Sequence, residues 1–225
     1  RQRQMCIIDS FKIAHISRPL NYLPKNKDFK SDSGLVSGLS GESEGMKFWS
    51  YWMGQNLEDR ENIVPEKRLK YIKSVFSTLL KKDNPMISGY LGHALSVNFL
   101  RKNFPGCIFV YLKRDKMSNI YSIIRTYKDF EKKRKNFNWI SLKPIGWQDK
   151  IEEEVIDKVL WQYQSIKQKI ESEISAEDTI IVNYEDICNN PHKFLKQIKA
   201  FAKDYDIDLK LCLEKLPDYF QLCKI

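Results

Sequence analysis

Apolar residues fall along the chain in blocks of two kinds. Cys107-Ile108-Phe109-Val110-Tyr111-Leu112 is continuously apolar, with Pro105-Gly106 before it and Lys113-Arg114-Asp115-Lys116 after it. Thr179-Ile180-Ile181-Val182, led in by Asp178, is a second such run. Short unbroken runs of this type predict strands buried on both faces, as in a parallel sheet. The other blocks repeat at helical spacing. Leu69, Ile72, Val75, Phe76, Leu79 and Leu80 predict a helix over Pro65 to Lys82, with proline suited to its first turn. Met86-Ile87-Ser88 predicts a short strand, and Leu95, Val97 and Leu100 a helix from about His93 to Lys102. Ile120, Ile123, Ile124 and Tyr127 predict a helix capped by Asp115 or Ser118. Val155, Ile156, Val159, Tyr163, Ile166, Ile170 and Ile174 predict a long helix over Glu152 to Ile174. Asn190 and Pro191 are good N-cap and first-turn residues for a helix whose core face is Phe194, Leu195, Ile198, Phe201 and Ala202. Strands alternating with amphipathic helices predict a three-layer α/β fold. Its central, mostly parallel sheet includes 107–112 and 179–183, with helices on both faces.

The remaining segments carry less pattern. Residues 1–30 hold one apolar cluster, Met5 to Ile8 with Phe11 and Ile13, expected to be helical. Residues 31–45 contain four glycines and five serines and predict a flexible loop. Phe48, Trp49, Tyr51, Trp52 and Met53 are expected in the core, or as one wall of an acceptor pocket. Lys128 to Lys135 reads as a solvated charged face. The following loop, with Trp139, Pro144 and Trp147, predicts a folded lid. Leu209 to Ile225 predicts a short helix.

Composition narrows this further. At 225 residues, 42% hydrophobic and 12% aromatic, the chain is expected to form one globular domain over residues 1–225. No apolar run approaches the ~20 residues of a membrane span, and Arg1 to Ile8 makes no secretory signal. The net charge of +9 predicts an anionic partner. The lysines are not interleaved with aromatics along one face, so a nucleic acid is not expected. Five cysteines without a C-x-x-C pair argue against a disulfide framework or structural zinc, and fit a reducing cytoplasm.

The chemistry is expected where the first strand leaves the core. In open α/β sheets ligands bind beyond the carboxyl ends of the strands. A helix start beside Arg114, with hydroxyls on its first turns, suits an anion.

Phe104-Pro105, Arg114-Asp115 and Ser122, eight residues after the arginine, keep the spacing of a known signature. The stretch resembles the sulfotransferases that use 3′-phosphoadenosine 5′-phosphosulfate (PAPS), with their FP-x-A-x-F-I-x-L-x-R-D sequence followed by a serine. The resemblance implies a P-loop-NTPase-like fold, and makes Arg114 and Ser122 holders of the nucleotide 3′-phosphate. Ser118, one helical turn earlier, would assist. Tyr184-Glu185-Asp186-Ile187 before Asn190-Pro191 resembles a further family landmark, with Asn183 in place of its arginine. Glu185 and Asp186 are expected to organise the loop there.

Residues 87–105 also resemble the family's Lys-Thr/Ser-Pro-x-Asn/His motif and its following helix. His93 falls on the Asn/His position and becomes the candidate base. Gly89 stands where the motif has lysine, and Leu91 where it has proline. Charge at the leaving phosphate would then come from elsewhere, with Lys113, Lys116 or the family's 5′-phosphosulfate loop the candidates. Trp161 matches a tryptophan common on the corresponding family helix. No G-x-x-R-S-G-T-T loop for the 5′-phosphosulfate occurs in the chain, so that element is expected upstream of residue 1 or in degenerate form. The expected activity is sulfuryl transfer from PAPS to a hydroxyl on a sugar, lipid or small molecule, with no metal. The alternative is an inactive module of the same fold that binds a nucleotide or another anion.

Overall fold

The computed structural model describes residues 46–54, 64–79, 86–133, 138–211 and 213–220. Expectations for residues 1–45 and 221–225 lie outside them. The described elements are α1 (Met46–Met53), α2 (Glu66–Leu79), a 3-10 turn (Leu91–Leu95) and α3 (Val97–Asn103). There follow β1 (Phe109–Lys113), α4 (Lys116–Lys133), α5 (Val155–Glu173), β2 (Thr179–Asn183), α6 (Tyr184–Asn189) and α7 (Pro191–Lys203). The long helices fall close to where periodicity predicts them. Asn190 caps α7, its side-chain oxygen accepting from the Lys193 amide at 2.9 Å, with Pro191 in the first turn. No described helix is long and apolar enough to cross a membrane.

β1 and β2 pair in parallel, in register from Phe109 opposite Thr179 to Lys113 opposite Asn183. The fold class is α/β, with two strands among the described residues. β1 begins at Phe109, two residues later than the apolar run, because Phe104 to Cys107 first close α3. The Cys107 amide bonds the Phe104 carbonyl at 3.2 Å, and Gly106 takes a left-handed φ of 84°. Burial on both faces is not observed: Val110 is 41% exposed, Leu112 39% and Ile181 49%. Among the described residues each strand has one strand neighbour, and the described elements do not cover Val110 and Leu112 as helices cover both faces of an inner strand. The α5 helix lies on the face carrying Phe109, Tyr111 and Lys113, where Lys113 Nζ reaches Glu171 at 3.7 Å.

Two further expectations are corrected. Met86 to Ser88 form no strand, and the helix expected from His93 divides. Residues 91–95 make a 3-10 turn, Ser96 leaves helical geometry at φ −151°, and α3 starts at Val97. The cause is Tyr90, which folds over Gly92 so closely that a Cβ there would lie 2.4 Å from its ring. The tail's predicted helix is a 3-10 turn at Leu213–Lys215.

The main core joins Phe48, Trp49 and Met53 of α1 to Ile72 and Phe76 of α2, then to Tyr90, Leu95, Phe99 and Leu100. Full burial of such side chains stabilises by about 1.5–3 kcal/mol each. A second cluster, Ile120, Tyr127 and Val159, fastens α4 to α5. The amino ends of the strands are clasped by Arg101 of α3. Its Nε and one terminal nitrogen both donate to the Asp178 carboxylate, and its guanidinium lies 5.5 Å from the Phe109 ring centre. Burial pushes the neighbouring Cys107 thiol up, which keeps it a poor nucleophile.

The loop from 138 to 150 is fastened to the helices at several points. Trp139 donates its indole N–H to the Leu142 carbonyl, and Gln162 of α5 donates to the carbonyls of Ile140 and Leu142. The Ile140 amide donates to Tyr127 Oη at 3.1 Å. Trp147 and Trp161 both meet Trp139 edge to face, and Lys143 lies over the Trp147 ring. A folded element was expected here, and a folded element is observed.

Candidate active site

At the carboxyl end of β1 the chain leaves the sheet with Arg114, half-buried, its guanidinium carbon 5.2 Å from the centre of the Tyr184 ring. Tyr184 follows β2 directly, so the parallel pairing itself brings ring and cation together. Arg114 makes no hydrogen bond or ion pair among the described residues. Asp115 is the N-cap of α4, its Oδ1 accepting from the Ser118 amide at 2.8 Å. That contact, and a further one from the Ser118 hydroxyl, hold the Asp115 carboxyl below its usual range. The Asp115 amide in turn donates to Glu185 Oε1 at 3.2 Å, and Asn183 Nδ2 donates to Asp186 Oδ2 at 3.0 Å. Glu185 and Asp186 thus organise this loop, as the sequence led us to expect.

The cap changes the picture of the anion site. A helix N-terminus attracts anions through its unpaired amides. Here a carboxylate of the chain already takes the third amide, that of Ser118. Donors that remain for an anion at this end include the Arg114 guanidinium and the hydroxyls along the helix, with Ser122 half-buried one turn beyond Ser118. Lys113 points instead to the α5 face, paired with Glu171 and over Tyr111, while Lys116 is exposed on the first turn of α4.

His93 lies in the middle of the 3-10 turn rather than at an α-helix start. Its ring is half-buried among aromatics, meeting Trp49 edge to face at 4.5 Å and Tyr90 at 5.3 Å. Nε2 is 2.9 Å from the Ser88 hydroxyl. A Cβ on Gly89 would meet nothing within 4 Å, so open space stands where the related motif has lysine. The turn carrying His93 and the strand leading to Arg114 both pack on α5, which fixes the two places relative to one another.

The family model described as "Sulfotransferase family" matches residues 43–204. The chain belongs to the sulfotransferase family. No curated protein and no solved structure matches it. The family match encloses His93, Arg114, Ser118 and Ser122, together with the lid-like loop and both strands.

Two residues at these candidate places were not singled out in the sequence. Ser88 precedes His93 by five positions, and only the fold of Gly89 and Tyr90 brings its hydroxyl to the imidazole. Tyr184 was visible as part of a landmark, but nothing local announced that it would carry Arg114 on its ring.

Proposed function

We propose that the chain transfers a sulfuryl group from PAPS to an acceptor hydroxyl. Arg114 and Ser122 would hold the nucleotide 3′-phosphate, with Ser118 lending support through the Asp115 cap, and His93 would act as base. Membership of the family supports transfer of a sulfuryl group. The observation that carries the nucleotide reading is Arg114 itself. It is an arginine at the carboxyl end of paired parallel strands, steadied by the Tyr184 ring and making no hydrogen bond or ion-pair contact with a carboxylate among the described residues. A P-loop-like arrangement of the whole sheet accompanies this reading.

PAPS brings the sulfuryl group on an activated phosphate. The acceptor oxygen forms its bond to sulfur as the bond from sulfur to the bridging phosphate oxygen breaks. The phosphate of adenosine 3′,5′-bisphosphate leaves with that electron pair, and the acceptor proton passes to the imidazole. A neutral imidazole can accept a proton as a general base. The Ser88 oxygen, 2.9 Å from Nε2, stands where an acceptor hydroxyl would bond. Positioning and electrostatics supply most of the rate in transfers of this kind.

The test is sulfuryl transfer from PAPS by the wild type and by His93→Ala, alongside calorimetry with adenosine 3′,5′-bisphosphate. The substitution is expected to lower kcat by ~10²–10⁴ and leave nucleotide affinity in place. An unchanged kcat would remove His93 from the mechanism. Nucleotide binding without transfer would favour the second reading, an inactive anion-binding module, to which Gly89 at the lysine position already points.

A further inference from the structure

The chain around His93 is wound so that a serine earlier in the sequence meets its imidazole. Tyr90 leads into the 3-10 turn in extended geometry, and the His93 amide closes back on the Tyr90 carbonyl at 3.0 Å. That closure sets Ser88 Oγ 2.9 Å from Nε2. Trp49 and Tyr90, both buried, back the imidazole edge to face. The serine side is open. Ser88 is half-buried, Gly89 beside it is exposed, and Ile87 and Leu91 on either side are 50% and 48% exposed.

Other hydroxyls are engaged differently. Ser77, Ser96, Thr126 and Ser172 each donate to the backbone carbonyl three or four residues earlier. A carbonyl does not deprotonate an alcohol. An imidazole does, and a hydroxyl bonded to one is an activated nucleophile. In the tautomer with its proton on Nδ1, Nε2 accepts from Ser88 and is placed to take that proton.

We propose that Ser88 is an internal acceptor, and that the chain sulfates it from PAPS when no external acceptor is bound. This rests on the sulfotransferase reading above. Ser88 Oγ forms a bond to sulfur as the bond from sulfur to the bridging phosphate oxygen breaks. Adenosine 3′,5′-bisphosphate leaves with that electron pair, and the hydroxyl proton passes to His93 Nε2. The resulting serine sulfate ester sets a fixed negative charge against the base and fills the place of an acceptor hydroxyl. The chain thereby blocks its own site when donor is present and acceptor is not.

The test is incubation of the full chain with PAPS and no added alcohol, followed by intact-mass measurement and peptide fragmentation. Calorimetry with adenosine 3′,5′-bisphosphate runs alongside. The wild type is expected to gain about one sulfuryl group per chain, on Ser88. Ser88→Ala is expected to gain none there, and Ser88→Thr, which keeps a hydroxyl, to be labelled at the substituted position. His93→Ala is expected to slow labelling of Ser88 by ~10²–10⁴. All three variants should bind the bisphosphate as the wild type does, which shows them folded. Label on another residue, as much label in Ser88→Ala, or an unchanged labelling rate in His93→Ala would each overturn the proposal. So would an unlabelled wild type that binds the bisphosphate, an outcome that leaves the nucleotide reading standing. A wild type that neither binds the bisphosphate nor takes up label would sink both.

Discussion

Two arginines lie over aromatic rings at opposite ends of the same pair of strands, and they are placed for different work. At the amino ends, Arg101 lies over Phe109 and grips Asp178 with two nitrogens. At the carboxyl ends, Arg114 lies over Tyr184 and makes no hydrogen bond or ion pair among the described residues. A guanidinium has five donors in a fixed fork. Where a carboxylate fills that fork, the arginine is part of the scaffold. Where only a ring supports it, the fork faces whatever anion arrives. Family resemblance drew attention to Arg114, but the contrast with Arg101 gives it a physical reason.

The comparison breaks most visibly if the clasp is cut. Arg101→Ala leaves the Asp178 side chain, only 14% exposed, without its partner. Removing one member of a partly buried charged pair is expected to cost about 2–3 kcal/mol, read from chemical denaturation, with nucleotide affinity unchanged. The pH dependence follows. The Arg101 hydrogen bond is the main cause holding the Asp178 carboxyl below its ordinary value of 3.8. A carboxyl lowered on folding contributes stability that is fully present above that ordinary value. The contribution is lost as pH falls through the lowered one. Wild-type stability should therefore drop more steeply than that of Arg101→Ala as the pH is taken below about 4. Parallel acid limbs would show that the clasp carries no such linkage.

Arg114→Ala should do the converse. Binding of adenosine 3′,5′-bisphosphate is expected to weaken by roughly 1.5–3 kcal/mol for a lost charged hydrogen bond, while the denaturation midpoint barely moves. Unaltered affinity would rule out the 3′-phosphate role, and a large loss of stability would erase the distinction between the two arginines.

How far the sequence discloses these features depends on the distance over which each is determined. The helices at 66–79, 155–173 and 191–203 follow from local periodicity and caps, and two apolar runs in one parallel sheet follow from composition and flanking charge. Arg101 and Asp178 are 77 residues apart, and no local pattern joins them. The break at Ser96 depends on Tyr90 closing over Gly92, a packing event that periodicity does not encode. The exposure of Val110 and Leu112 was missed for a related reason. An apolar run states what a strand can bury, and what covers it is decided by other elements. In the candidate site, the residues fixed by motif spacing could be named. Their partners, Ser88 for His93 and Tyr184 for Arg114, emerge only when the chain folds.

The finest test concerns the carboxylate next to Arg114. Asp115 caps α4 and holds the Ser118 amide, so its negative charge lies on the ground an incoming phosphate would share. Asparagine caps helices about as well as aspartate does. Asp115→Asn should thus keep α4 in place while removing one charge that repels the nucleotide. The group is exposed, so the gain is modest: roughly two- to fivefold tighter binding of adenosine 3′,5′-bisphosphate at low salt. The gain should shrink as ionic strength rises and the screening length falls toward ~8 Å. In the Arg114→Ala background the same substitution should help by a similar factor if it acts through the phosphate, and by nothing if Asp115 acts only by competing for Arg114. Tighter binding in both backgrounds would place the anion at the start of α4 itself. Weaker binding in either would mean that the carboxylate orients the site, and that the contrast between the arginines is not the whole basis of recognition.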